Sequence, residues 1–401
     1  FSSRRRHTRF RNVTGVQTCA LPISKKVLKG NYAAAEAARL SRVEFIPAYP
    51  ITPQTTIVEE LASMVAEGLL DATYINMDSE HSVFAAAKGA SLGGSRVFTA
   101  TSGQGLLYAH EVLHAIAHMR LPIVACNVGR PSFPWNIWCD QTDSISQRDT
   151  GWVQYYGETS QEVLDSIIQS YLLAERLHLP VLVMIDAFYQ SHTSENVWLP
   201  DIELVDKFLP KRSDHEQGIE PEHPKSFGGL VPTKFYDNFN HVYWNDINQV
   251  EDLTNSIGEE YGKMFGRNYG AVEAINISEK TKTLLVTIAS MTTTVRGVLP
   301  LHPEVGVLKI RLFKPFPKKS ILKAIEKLPN ECRIINIDRN FTGDNEGALM
   351  REMKSALYGK SYRMHNVYVG IGGRDVPPST IEKIINTTND ESPEVIWIDL
   401  E

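Results

Sequence analysis

No stretch of this chain approaches the roughly 18 consecutive apolar residues that a membrane-spanning helix requires, so the sequence holds no candidate span. Cysteine is scarce: the four residues Cys19, Cys126, Cys139 and Cys332 never form a Cys-x-x-Cys pair. That spacing excludes the common iron-sulfur and structural zinc patterns and fits reduced thiols in a cytoplasmic chain. An excess of basic charge is also missing. The formal net charge of -6 gives no electrostatic footprint for nucleic acid. Acidic residues are absent from residues 1–24, which carry five arginines and neither helical nor strand periodicity. A mitochondrial presequence has this composition, and so has translated adapter sequence; we expect a non-native tail. There is no fixed-period repeat and no low-complexity segment.

What is present is a regular alternation of strands and helices over a length that suits two domains, 401 residues. Residues 31–41 read as a helix, 43–50 as a strand running into a proline-bounded loop, and 56–69 as a helix opened by a Thr56–Glu59 capping box. A strand at 73–77, a small-residue helix at 82–94, a strand at 96–101, a single helix at 105–119 and a strand at 121–128 follow. After a polar loop comes one more strand-helix-strand unit, ending near residue 188. Near-continuous apolar strands in such units imply a parallel sheet with helices on both faces. We therefore expect an α/β domain over 25–203, a connecting excursion over 204–280 where the rhythm fails, and a second, smaller α/β domain over 281–401. Ligands of parallel sheets bind beyond the strands' carboxyl ends, so the loops after residues 50, 78, 103 and 130 should converge.

Three of these loops carry candidate residues. In "AYPITPQTT", Pro50 and Pro53 fix the backbone around Thr52. A threonine between prolines is also simply a rigid turn. In "NMDSEHSVFAAAKGAS", Glu80 opens a helix whose Ala85, Ala86, Ala87, Gly89 and Ala90 allow close approach of another helix or subunit. Such packing would dehydrate the carboxylate and favour proton sharing, while an acid at a helix start is otherwise favoured by the macrodipole alone. "ACNVGRP" places Arg130 at a strand end, either to grip a carboxylate through two parallel hydrogen bonds or as a solvated cation. A fourth pattern, His110-Glu111-x-x-His114 with His118 beyond it, is the zinc-hydrolase signature. Its helix reads as an apolar crossover without the extended glycine and histidine of that class, which leaves histidines at a domain or subunit contact as the other reading.

Read in order, "AYPITP", "SEHSVFAAAKGAS", "TATSGQGL", "MRLPIV", "NIWCDQTDS", "SQRDTGW", "RLFKPFP" and "VGIGGRDVPP" resemble the alpha subunit of the 2-oxoacid:ferredoxin oxidoreductases, pyruvate:ferredoxin oxidoreductase above all, from Lys25 to Glu401. The resemblance implies a pyrimidine-binding-type domain of a thiamine enzyme followed by a transketolase C-terminal-like domain. It implies oxidative decarboxylation of a 2-oxoacid on thiamine diphosphate, with acyl-coenzyme A and carbon dioxide as products and electrons passed to ferredoxin. Glu80 would contact the cofactor's aminopyrimidine ring and share a proton with it, and Thr52 and Arg130 would face the substrate.

The diphosphate-binding Gly-Asp-Gly with a following Asn-Asn is absent, since "TGDNEGA" lacks the spacing. The resemblance then assigns the diphosphate, Mg2+ and iron-sulfur clusters to beta, gamma and delta partner subunits, and leaves this chain half an active site. "GRPSFPWNIW" departs from the alanine-rich loop of pyruvate enzymes, so Phe133 and Trp135 beside Arg130 bear on the acyl pocket. Pyruvate is the first expectation for the substrate and a branched or aryl 2-oxoacid the second. A non-catalytic scaffold is disfavoured by the joint presence of Thr52, Glu80 and Arg130.

Overall fold

The computed structural model describes residues 23–212, 218–398 and 400. The segment expected to be a tail lies outside them together with Cys19, except for Ile23 and Ser24. These two open β1 (Ile23–Lys29), which pairs antiparallel with β8 (Ser194–Pro200).

Helix α1 (Gly30–Leu40) follows, then β2 (Phe45–Ala48), α2 (Thr55–Ala66), β3 (Thr73–Asn76), α3 (Glu80–Leu92) and β4 (Phe98–Thr101). The unit continues with α4 (Gly103–Tyr108), α5 (His110–His118), β5 (Val124–Gly129), α6 (Thr142–Ile145), β6 (Val153–Tyr156), α7 (Ser160–Leu177) and β7 (Val181–Asp186). Strands β6, β7, β5 and β4 are parallel neighbours in that order. A parallel bridge from Phe45 to Val97 carries the arrangement on to β2, which pairs parallel with β3. β5 and β7 are buried on both faces, as their unbroken apolar runs require. Five fully buried alanines, Ala33, Ala34, Ala35, Ala37 and Ala38, let α1 lie close between α2 and α7.

Three local expectations differ. The capping box at Thr56 does not form. Asn31 of α1 donates to the Thr56 hydroxyl at 2.8 Å and to the Pro53 carbonyl at 2.8 Å, so the start of α2 is tied to its neighbour rather than to itself. The helix expected over 105–119 is two helices with a break at Ala109. The excursion over 204–280 contains regular structure: helices α8 (Ile202–Phe208), α9 (Thr233–Ile247) and α10 (Val250–Phe265). Val250, Thr254, Ile257, Tyr261 and Phe265 recur at helical spacing and are buried against α7, but the charges between them mask the period in sequence.

The second unit is a six-stranded sheet in the order β15-β14-β13-β10-β11-β9. It comprises β9 (Val272–Ile275), β10 (Thr283–Thr287), α11 (Met291–Val298), β11 (Val305–Ile310), β12 (Leu312–Lys314), α12 (Lys318–Ala324), β13 (Arg333–Asp338), α13 (Ala348–Ala356), β14 (Arg363–Tyr368), α14 (Pro378–Thr387) and β15 (Val395–Trp397). Only β9 runs antiparallel in it, and β12 leaves to pair antiparallel with β6 of the first unit. One apolar core runs across both units, from Phe84, Leu113 and Trp152 to Leu284, Leu308 and Phe313. Charge also joins them: Arg296 and Lys309 of the second unit meet Glu158 at 2.7 and 2.9 Å, and Lys309 meets Glu162 at 2.6 Å.

Candidate active site

The loops at the carboxyl ends of β2, β3, β4 and β5 do converge. The Ser79 hydroxyl caps α3 by accepting from Ser82 N–H at 3.2 Å, which sets Glu80 in the first helical turn. Glu80 is only 9% exposed. Its carboxylate lies against Gly105, where an added Cβ would sit 2.4 Å from Oε1. Among the described residues no hydrogen bond reaches that carboxylate, which leaves both oxygens free as acceptors.

Arg130 leaves the end of β5 and is 5% exposed. One terminal nitrogen donates to the Thr52 carbonyl, and the other donates to Gln104 Oε1 at 2.7 Å. Each terminal nitrogen therefore keeps one further N–H, and Nε is buried without a partner. Gly103, at φ +53°, passes directly under this side chain: a Cβ there would lie 2.2 Å from Arg130 Nε. Burial lowers the guanidinium's pKa from its ordinary value, opposed by the charges of Asp143 and Glu80. The Thr52 side chain is exposed, and its carbonyl is what the Arg130 contact uses.

Gln104 Nε2 donates to the Pro131 and Ser132 carbonyls at 3.3 and 2.5 Å, so this one side chain links the Gly103–Gly105 turn, Arg130 and the loop after it. Asp143, fully buried, accepts from Gly103 N–H at 2.9 Å, Arg130 N–H at 3.2 Å and Asn127 Nδ2 at 3.0 Å. Desolvation raises its carboxyl to about 6, against the pull of these donors. Neither Gln104 nor Asp143 stood out in sequence. Their signals were present as a Gly-x-Gly between a strand and a helix, and as an acid in a polar loop between buried strands, but neither pattern names a partner.

One further expectation meets a correction. Helix α5 is not buried around most of its girth: His110, Glu111 and His118 are exposed, and the buried side is Val112, Leu113, Ile116 and Ala117. The His110 and His114 rings meet edge to face at 4.9 Å, and His110 Nδ1 is engaged by Gln147 Oε1 at 2.6 Å. Burial, then the neighbouring charges of His110 and His118, lower the His114 pKa. Among the described residues no group of three or more His, Cys, Asp or Glu is placed to hold a metal ion. On the small-residue helix α3, a Cβ at Gly89 would meet nothing within 4 Å among the described residues.

Residues 36–259, more than half of the chain, match the family described as pyruvate flavodoxin/ferredoxin oxidoreductase, thiamine diphosphate-binding. The chain belongs to that family. Residues 282–381 match the pyruvate:ferredoxin oxidoreductase core domain II, a stretch that holds β10, β11, β13 and β14 of the second sheet. Among its relatives in this oxidoreductase family is the ketoisovalerate oxidoreductase subunit VorA of Pyrococcus horikoshii, 42% identical, with 90% of this chain and 92% of the relative covered. The pyruvate synthase subunit PorA of Methanocaldococcus jannaschii is also 42% identical, with 94% and 98% covered. The 2-oxoglutarate:ferredoxin oxidoreductase from Magnetococcus marinus, solved with 2-oxoglutarate, coenzyme A and succinyl-coenzyme A, has the same fold at a TM-score of 0.71 and 20% identity, covering 90% of this chain and 65% of that one. The α/β fold read from the sequence stands, and so does the resemblance that named the family.

Proposed function

We propose that this chain is the alpha subunit of a thiamine-diphosphate-dependent 2-oxoacid:ferredoxin oxidoreductase. With its partner subunits it converts a 2-oxoacid and coenzyme A to acyl-coenzyme A and carbon dioxide, and the electrons pass to ferredoxin. The observation that carries this reading is the meeting of a partner-free buried carboxylate, Glu80, and a nearly buried guanidinium, Arg130, on one glycine turn at the carboxyl edge of the first sheet. The residues fit the cofactor, because an acceptor oxygen in a dry wall is what a protonated ring nitrogen needs.

Thiamine diphosphate, when bound, supplies the electron sink for decarboxylation. Glu80 would orient the aminopyrimidine ring and hold a proton between its own oxygen and the ring nitrogen. The free N–H groups of Arg130 would take the substrate carboxylate, while the Thr52 carbonyl and Gln104 keep the guanidinium from turning. Gly103 and Gly105 admit both side chains because neither carries a Cβ.

Partner subunits complete the site in this reading. The beta subunit holds the diphosphate and Mg2+ and docks over the exposed face of β3 and α3, where Gly89 stands open. Gamma and delta subunits complete the assembly and carry the path to ferredoxin. The iron-sulfur clusters belong to partners as well: Cys126, Cys139 and Cys332 are buried, and among the described residues no group of three or more His, Cys, Asp or Glu is placed to hold a metal. Those reduced thiols support a cytoplasmic location. For domain limits we take 25–203 and 281–401, joined by 204–280.

Pyruvate is the first substrate we assign. A branched-chain 2-oxoacid is the second, favoured by the similarity to ketoisovalerate oxidoreductase subunits and by the aromatic loop holding Phe133 and Trp135. The test is reduction of ferredoxin or a viologen dye by the assembled complex with coenzyme A and each 2-oxoacid in turn. Pyruvate-dependent reduction that vanishes with the isolated chain is expected; a complex inert towards every 2-oxoacid would refute the reading.

A further inference from the structure

We propose that Asp143 is the positioning residue of this site, one buried carboxylate that holds the substrate-gripping arginine and the glycine turn in register. The inference rests on the functional reading above and adds a residue that does not touch substrate or cofactor.

Its geometry is unusual in where the donors come from. Oδ2 accepts from the Gly103 amide in the loop after β4, from the Arg130 amide at the end of β5 and from the Asn127 side chain within β5, and Oδ1 accepts from Ser144 N–H at 2.6 Å. Among the described residues four N–H donors and no ion pair satisfy it. A buried carboxylate surrounded only by N–H groups fixes those groups strongly, because each would otherwise be left unpaired in the interior. Two of them belong to the residues that matter here. The Gly103 amide sets the turn on which the Arg130 side chain lies, with a Cβ position 2.2 Å from Nε, and that turn carries Gly105 against Glu80 two residues later. The Arg130 amide sets the point from which the guanidinium extends. Moving the Asp143 oxygen would therefore shift both walls of the site.

The second domain keeps Asp143 in place. Its Ile371–Gly373 turn receives the loop just before Asp143: Gly372 N–H donates to Asp140 at 3.0 Å, and Asn136 donates to the Gly372 carbonyl at 3.0 Å. Gly373, at φ +85°, lies under Trp138, where a Cβ would be 2.2 Å from the Trp138 Cβ. The loop between Arg130 and Asp143 is thus clamped by a turn from a different sheet.

The test uses the assembled complex and the Asp143→Ala, Asp143→Asn and Arg130→Met variants. Asp143→Ala should raise the 2-oxoacid KM by about tenfold to a hundredfold, the scale of losing a buried charged acceptor. Asp143→Asn, which can keep an acceptor oxygen towards the three donors, should recover most of that loss. In the Arg130→Met background, Asp143→Ala should add no further rise in KM. Amide hydrogen exchange should speed up at Gly103, Arg130 and Ser144, whose N–H groups the carboxylate holds. Should Asp143→Ala fail to assemble, Asp143→Ser, whose hydroxyl falls short of the three donors, replaces it with the same expected KM. An assembled variant with parental KM, or additive losses with Arg130→Met, overturns the inference. A parent complex that turns over no 2-oxoacid overturns the functional reading instead.

Discussion

Gly105 and Glu80 touch across the site: the position of a Cβ on Gly105 lies 2.4 Å from Glu80 Oε1 and 2.6 Å from its Cγ. The carboxylate is thus walled by backbone on one side and by its own helix on the other. Gly105→Ala should push Glu80 out of this place at an overpacking cost of about 1 to 3 kcal/mol. We expect a fall in turnover of the complex of roughly tenfold or more, on the order of that cost, and thermal unfolding with steady-state kinetics checks both parts.

Gly89 gives the opposite contrast on the same helix. Its Cβ position is open within the chain, so Gly89→Ala should stabilise the isolated subunit by up to about 1 kcal/mol through helix propensity. Gly89→Leu should leave the subunit folded but weaken assembly with the beta subunit at least tenfold, read by analytical ultracentrifugation. Unchanged assembly with Leu at this position would place the partner elsewhere.

For Arg130, replacing a two-pronged donor by an apolar chain should cost about 2 to 4 kcal/mol in kcat/KM for the 2-oxoacid. Arg130→Lys should recover only part of this, since an ammonium cannot also satisfy Thr52 and Gln104 in the same geometry. Kinetics of the reconstituted complex decide it.

Asp338, at the end of β13, tests the second domain. Burial pushes its carboxyl up to about 7, against hydrogen bonds from Leu349 N–H at 3.2 Å and Asn340 Nδ2 at 3.1 Å. The folded state therefore keeps a proton that the unfolded chain releases near pH 4, so stability is lost as pH rises from about 4 to about 7. Asp338→Asn removes that loss while keeping the shape, and its stability relative to the parent should improve across this window by up to roughly 4 kcal/mol. Melting temperatures from pH 4.5 to 7.5 should show Asp338→Asn gaining on the parent as pH rises; a constant difference between the two curves would contradict the assignment.

Much of the fold was legible because its signals are local. The apolar runs of β5 and β7 and the alternation with helices specify a parallel sheet, and the sheet then dictates where Thr52, Glu80 and Arg130 must meet. What could not be read depends on partners distant in sequence. Thr56 carries the right residues for a cap, yet Asn31 takes its hydroxyl. The α10 stripe from Val250 to Phe265 is diluted by Asp252, Glu259 and Lys263, which face water. Asp143 shows nothing in sequence of the four donors that surround it, and Leu312–Lys314 gives no sign of crossing to another sheet.

The central claim is that Glu80 acts on the cofactor by exchanging a proton, and Glu80→Gln isolates it. The side chain keeps its size, and no hydrogen bond among the described residues depends on the carboxylate, so folding and assembly should persist while turnover falls by roughly two to four orders of magnitude. The most direct measurement is hydrogen-deuterium exchange at the thiamine C2 position in the assembled complex without substrate. The account predicts exchange slowed at least a hundredfold in Glu80→Gln; exchange at the parental rate would show that Glu80 is only a helix-start acid.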